Sequence, residues 1–240
     1  MIQSVLPQLT FSFHRQQPIR ADFSGGQITS DAGLLPLRAF DQRHHLTGDW
    51  AQLLRDPRHT DRIQHDSLAL LRQRLYQIVA GYEDANDADR LRHDPLLQIV
   101  ADQKLGDPLG SQPTLSRWEN APSARDLVRL NDLWCEQFIR LCGDQVRQRG
   151  EILLDLDSTD DPTHGQQQLS FFNGAYGQHM YHPMLIFERH TGALLAARLR
   201  PGNASSHARI VPMLLRLVPR LQAAFPGVKI KLRGDAGFAL

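Results

Sequence analysis

The 240-residue sequence predicts an α/β protein in which a mainly helical part precedes a mixed sheet. Three observations carry this. Apolar residues recur with helical spacing through residues 1–150. The period changes to that of strands from Ile152 onward. The second part then runs strand, strand, strand, helix, strand. A chain of this length holds one large domain or two modest ones, and the change of period divides it into 1–150 and 151–240.

In the first part, Leu68, Leu71, Leu75, Ile78, Val79 and Tyr82 fall on one helical stripe, with Asp66 as cap and Gly81 near the end. Residues 81–97 are polar, with short helical pieces. In 111–122, Ser111 is the cap of a short helix closed by Pro122. A longer helix starts at Ser123, where Asp126 three residues on makes a capping-box-like start. Leu127, Leu130, Trp134, Phe138 and Leu141 are its expected buried face. Two helices joined by a short turn suit either DNA reading or ordinary helical packing.

In the second part, Ile152–Asp157 is a short apolar run ending in acids, the mark of a buried strand. Pro183–Phe187 and Ala193–Leu199 flank a hairpin loop at 188–192. Ser205 or Ser206 is the expected cap of a helix with Ile210, Leu214, Leu217 and Leu221 inward. Pro219 is expected to kink that helix or end it early. Val228–Leu232 alternates like a half-buried strand and runs into Arg233-Gly234-Asp235.

This order makes a three-strand meander, a crossover helix and a fourth strand. The helix lets the fourth strand lie parallel to an earlier one. Beside the first strand, Asp235 would emerge at the same edge as Asp157. Paired carboxylates at strand ends suit a hard divalent cation in phosphodiester chemistry. Asp155 shares the face of Asp157 through the two-residue period and is the rival ligand. Asp160 and Asp161, beside Pro162, suit a turn.

Composition excludes several classes. With 41% hydrophobic and 22% charged residues the chain is not of disordered type. No window reaches the roughly 18 apolar residues of a membrane span. The first residues lack a secretory pattern, so a cytoplasmic location is expected. Cys135 and Cys142 lie two helical turns apart, a spacing that suits inert thiols better than a metal pair or a disulfide framework. Gly25, Gly26 and Gly33 lack the Lys-Ser/Thr of a phosphate loop. Net charge is only +1, but lysine occurs only at Lys104, Lys229 and Lys231, so the cations are nearly all arginine. The guanidinium fork suits phosphate, although a GC-rich codon usage gives the same bias.

Arg198, Arg200, Arg209 and Arg233 lie near strand ends or helix starts close to the acids, where cations meet a DNA backbone. His164 is placed to hydrogen-bond in the loop beside the acids or to contact DNA. His179 and His182 have near-ligand spacing, but Pro183 marks a strand there and no Cys or Glu pattern accompanies them. Phe171, Phe172, Tyr176 and Tyr181 either pack the loop onto the sheet or stack an unpaired base.

Several motifs carry a family resemblance. DLDSTDDPTHGQQ (155–167), FFNGAYG (171–177), LRPGN (199–203) and LRGDAGF (232–238) together resemble bacterial insertion-sequence transposases of the DDE class, most closely group thirteen-eighty. SDAGLL (30–35), RDPR (55–58), GYEDAND (81–87), LRHDPL (91–96) and SQPTLSR (111–117) look like the same group, so the resemblance spans nearly the whole chain. It implies an RNase-H-like catalytic fold in which three acids bind two Mg²⁺ or Mn²⁺ ions. It implies DNA as partner, both element terminal repeats and target, with cleavage followed by joining of a 3′-hydroxyl. Homo-oligomers are expected for the intact family enzyme. Asp157, followed by Ser158-Thr159, matches the first acid and Asp235 the second. Arg200 and Arg233 fall inside the motifs. The third acid, a Glu on a later helix, has no counterpart, so the catalytic domain is expected to be incomplete and the fragment inactive alone. A metal-dependent nuclease and a non-catalytic DNA-binding fragment are the alternative readings.

Overall fold

The computed structural model describes residues 8–14, 16–22, 29–59, 61, 63–165 and 167–238; Met1–Pro7 of the leader reading, Gly25, Gly26 and Gln166 lie outside them. The chain forms two compact units, residues 1–127 and 128–240.

The first unit opens with a two-strand hairpin, β1 (Leu9–Phe11) and β2 (Ile19–Ala21). Helices follow: α1 (Leu34–His44), α2 (Leu46–Leu53), α3 (Ser67–Val79), α4 (Asp87–Leu91), α5 (Pro95–Val100) and α6 (Gln112–Glu119). Asp66 caps α3 as its sequence predicts, accepting from the Ala69 amide at 2.7 Å. The buried face of α3 is not the apolar stripe. Ile78 and Val79 are exposed, whereas Arg72, Gln73, Tyr76 and Gln77 are buried. The reason is a polar network. Asp41 accepts from the Thr47 amide and hydroxyl at 2.7 and 2.6 Å and from the Tyr76 hydroxyl at 3.1 Å. Arg72 donates to the Thr47 hydroxyl, and the Gln73 amide exchanges two hydrogen bonds with the Gly110 backbone. Satisfied polar groups tolerate burial, so polarity misreads this face. Ser111 precedes α6, but its hydroxyl meets that of Thr114 instead of a backbone amide, and α6 ends before Asn120, ahead of Pro122.

The second unit is built on α7 (Ala124–Arg149) from Val128 onward and the sheet that follows. The α7 start is the expected reciprocal cap: Asp126 accepts from the Ser123 amide and hydroxyl, and the Ser123 hydroxyl accepts from the Asp126 amide. Its buried face is Cys135, Phe138 and Val146, with Leu127 and Leu141 exposed. These side chains pack with Ile152, Leu154 and Ile186 in one core. Most of α7 therefore belongs with the sheet, earlier in the chain than the change of period at 151.

The sheet contains β3 (Glu151–Ser158), β7 (Met184–Glu188), β8 (Ala193–Arg198) and β9 (Lys229–Gly234), in spatial order β8-β7-β3-β9. The first three form an antiparallel meander; β9 runs parallel to β3. Between β3 and β7 stands a three-stranded sheet that the sequence did not predict: β4 (Asp161–Pro162), β5 (Phe171–Asn173) and β6 (Gln178–Tyr181). Residues of even number on β3 (Ile152, Leu154) face the core and those of odd number (Asp155, Asp157) the opposite face.

The crossover helix is α8 (Ile210–Ala224). Its N-cap is Arg209, at φ 66°, and neither Ser205 nor Ser206 caps it. Pro219 lies inside α8 and does not end it. Leu215 and Pro219 are both on the exposed side, so water can take the carbonyl that proline leaves without a donor. Ile210, Leu217 and Leu221 are buried as expected. No helix among the described residues is long and apolar enough to cross a membrane.

Candidate active site

The parallel β3–β9 ladder pairs Asp155 with Arg233 and Leu156 with Gly234. The ladder ends there; Asp157 follows on β3, and Asp235 is the first residue after β9. Both line one open cleft of about 500 Å³, together with Asp155, Arg233, Arg189 and Phe187. The topology thus brings together two carboxylates that lie 78 positions apart in the sequence.

The two acids of β3 differ in their partners. Asp155 accepts from Arg233 through both oxygens, Nε at 2.7 Å and Nη2 at 2.5 Å, and Arg189 lies 4.0 Å away. This fork-to-fork pair raises the Arg233 pKa, chiefly through its hydrogen bond to Asp155. Asp157 is exposed and has no ion-pair partner among the described residues. The Asp235 carboxylate accepts from the Gly237 amide at 2.8 Å and its carbonyl from the Phe238 amide at 3.1 Å, which fixes the turn after β9. Two oxygen donors with open coordination are the hard-ligand chemistry that a divalent cation requires. Among the described residues no group of three or more His, Cys, Asp or Glu could hold a metal.

The other expected residues are placed differently. Arg200, expected at the DNA backbone, is 3% exposed. Its Nε donates to the His182 carbonyl at 2.7 Å, and its Nη1 to the carbonyls of Ser205, Ser206 and Ala208 at 2.9–3.0 Å. Those bonds tie the loop before α8 to the strand end, and they leave no exposed fork for phosphate. Arg233 does line the cleft, but its guanidinium is engaged by Asp155. His164 is exposed beside β4 and does not line the cleft. Asp160 accepts from Gln178 at 2.8 Å and Asp161 of β4 pairs with Tyr181 of β6; neither lines the cleft.

The histidines serve packing. His182 is buried, with Nδ1 at 2.8 Å from the Ala204 carbonyl, and His179 stands edge-on to Phe172. Phe171, Phe172 and Tyr176 remain exposed.

Arg189 is the cleft residue that sequence reasoning missed. It follows Glu188 in the β7–β8 hairpin loop, where the buried Glu188 carboxylate accepts from the Thr191 amide and hydroxyl and shapes the turn. The loop was legible as a hairpin, but nothing in its composition says which cleft it borders.

No curated protein and no solved structure matches the chain. The family described as transposase DDE domain group 1 matches residues 11–240. Such proteins cleave DNA with the help of a divalent metal, and so bind DNA. By that match, which spans both units, the chain belongs to the DDE-class transposases of domain group 1.

Proposed function

We propose that the β3–β9 cleft is the catalytic centre of an RNase-H-like domain and that Asp157 and Asp235 are its first two acids. What supports this reading is that Asp157 and Asp235, at the ends of two neighbouring parallel strands, both line the cleft while Asp155 is occupied by Arg233. That occupation favours Asp157 over Asp155 as the ligand. The two carboxylates would hold Mg²⁺ or Mn²⁺ through hard oxygen donors. When bound, such an ion stabilises the charge that develops on a phosphoryl oxygen. Arg233 fixes the orientation of Asp155, and the exposed Arg189 guanidinium stands ready to orient a DNA phosphate.

The substrates in this reading are element terminal repeats and target DNA, as in insertion-sequence group thirteen-eighty, and the working form is a homo-oligomer. The helical N-terminal unit contributes grip on DNA. Two carboxylates suffice for one hard cation, whereas the family reaction uses two ions in line.

The test is a labelled terminal-repeat duplex incubated with the protein and Mn²⁺, scored for cleavage and for joining to a second duplex. Joined product distinguishes a transposase from a nuclease, which releases cut ends only. Efficient cutting by residues 1–240 that survives Asp157→Ala would reject the site.

A further inference from the structure

Three sequence segments of the first unit, each singled out by its motif but given no role, meet at one concave surface. RDPR (55–58), LRHDPL (91–96) and SQPTLSR (111–117) supply Arg58, Arg92, Ser111, Thr114 and Arg117 to a cavity of about 370 Å³, with His65 at its wall. Ser111, Thr114 and Arg117 follow one another at three-residue intervals, which places them along one face of α6.

The charges in this cavity are not balanced. Arg58 is neutralised: it forks onto Asp56 with Nε at 2.8 Å and Nη2 at 2.6 Å, and Nη2 also donates to the His65 carbonyl at 2.8 Å. Arg92 and Arg117 have no acidic partner among the described residues, and the Arg92 Nε is buried without a hydrogen bond. The nearby acids are otherwise engaged. Asp66 caps α3, and Asp89 accepts from the Gln112 amide at 2.9 Å. The cations also act on His65, whose pKa is lowered first by burial and then by Arg92 and Arg58. The cavity thus holds the Arg92 and Arg117 guanidinium groups without an acidic partner among the described residues, beside a histidine whose charged form burial disfavours. An anion with several acceptor oxygens would satisfy the Arg92 fork, the Arg117 head and the two hydroxyls together.

We propose that this cavity is a phosphate-binding site and that its occupant is a backbone phosphodiester of duplex DNA. The choice of DNA over free phosphate rests on the transposase reading; the phosphate chemistry itself does not. The site gives register on the DNA and no base specificity, because guanidinium and hydroxyl groups here face phosphate oxygens.

The experiment measures duplex affinity across a salt series, and Mn²⁺ binding by calorimetry, for residues 1–240, for Arg92→Gln and for Arg117→Gln. Arg117 is exposed at the end of α6, so its variant keeps the fold even if Arg92→Gln does not. Each arginine variant is expected to weaken binding to unrelated duplexes alike and to lower the salt slope by about one. Both arginine variants are expected to bind Mn²⁺ as wild type does, so failure of the metal reading shows in Mn²⁺ binding and not in the salt slope. Calorimetry with inorganic phosphate is the second arm. Phosphate binding that both arginine variants lose, with unchanged DNA slopes, would make the ligand a free phosphate and overturn the DNA assignment. Unchanged slopes with no phosphate binding would overturn the site altogether.

Discussion

Replacing Arg200 by methionine separates a structural clamp from a DNA contact. Methionine keeps much of the aliphatic stem and removes the guanidinium. The carbonyls of His182, Ser205, Ser206 and Ala208 then lose their donor. Nη1 has two protons for three carbonyls, so about three good hydrogen bonds are lost in all. At roughly 1 kcal/mol net for each, the cost is about 3 kcal/mol. Relief works against it, because Arg200 is buried with its Nη2 unpartnered, and burial lowers its pKa ahead of the nearby Arg198 charge. For a protein of this size, a loss of about 3 kcal/mol corresponds to roughly 6–12 °C in melting temperature. Thermal denaturation followed by circular dichroism reads this directly, with the exposed Arg198→Met as a control expected to stay within about 0.5 kcal/mol. A wild-type melt for Arg200→Met, accompanied by weaker DNA binding, would show that the guanidinium is free for DNA and that the clamp is wrong.

Other outcomes follow from the same contacts. Gly202→Ala should destabilise by more than about 2 kcal/mol, seen in the melt, because a Cβ there would overlap the carbonyl oxygens of Met180 and Phe171. Asp56 has its pKa lowered to about 2, first by its hydrogen bond to Arg58. A depressed carboxylate stabilises the fold above its unfolded pKa. Asp56→Asn should therefore cost about 2 kcal/mol at neutral pH, with the difference from wild type fading between pH 4 and pH 2 in acid titrations of stability. Burial raises the Cys135 thiol to about 11, so a thiol reagent at pH 8 should modify it far more slowly than in the unfolded chain.

The sheet was largely legible because its signals are local and apolar. Ile152 and Leu154 against Asp155 and Asp157 gave both the strand and its two faces, and the intervening helix allowed β9 to return beside β3. The helical faces were less legible. Leu68 to Tyr82 looks like an apolar stripe, yet α3 turns Arg72, Gln73 and Tyr76 inward because Asp41, Thr47 and Gly110 satisfy them from far away in sequence. The same holds for Arg200. An arginine in a motif reads as a ligand contact, and only the fold shows four carbonyls converging on it. The difference between Asp155 and Asp157 was also hidden, since both alternate onto one face. Arg233 on the neighbouring strand engages Asp155 and not Asp157, which distinguishes their surroundings.

The most direct measurement of the central claim is Mn²⁺ binding by calorimetry to wild type and to Asp155→Asn, Asp157→Asn and Asp235→Asn, each checked for an unchanged fold. The account predicts that Asp157→Asn and Asp235→Asn abolish binding. It predicts that Asp155→Asn retains binding, because the carboxylate it removes belongs to Arg233. Loss of Mn²⁺ in Asp155→Asn with full binding in Asp157→Asn would contradict it.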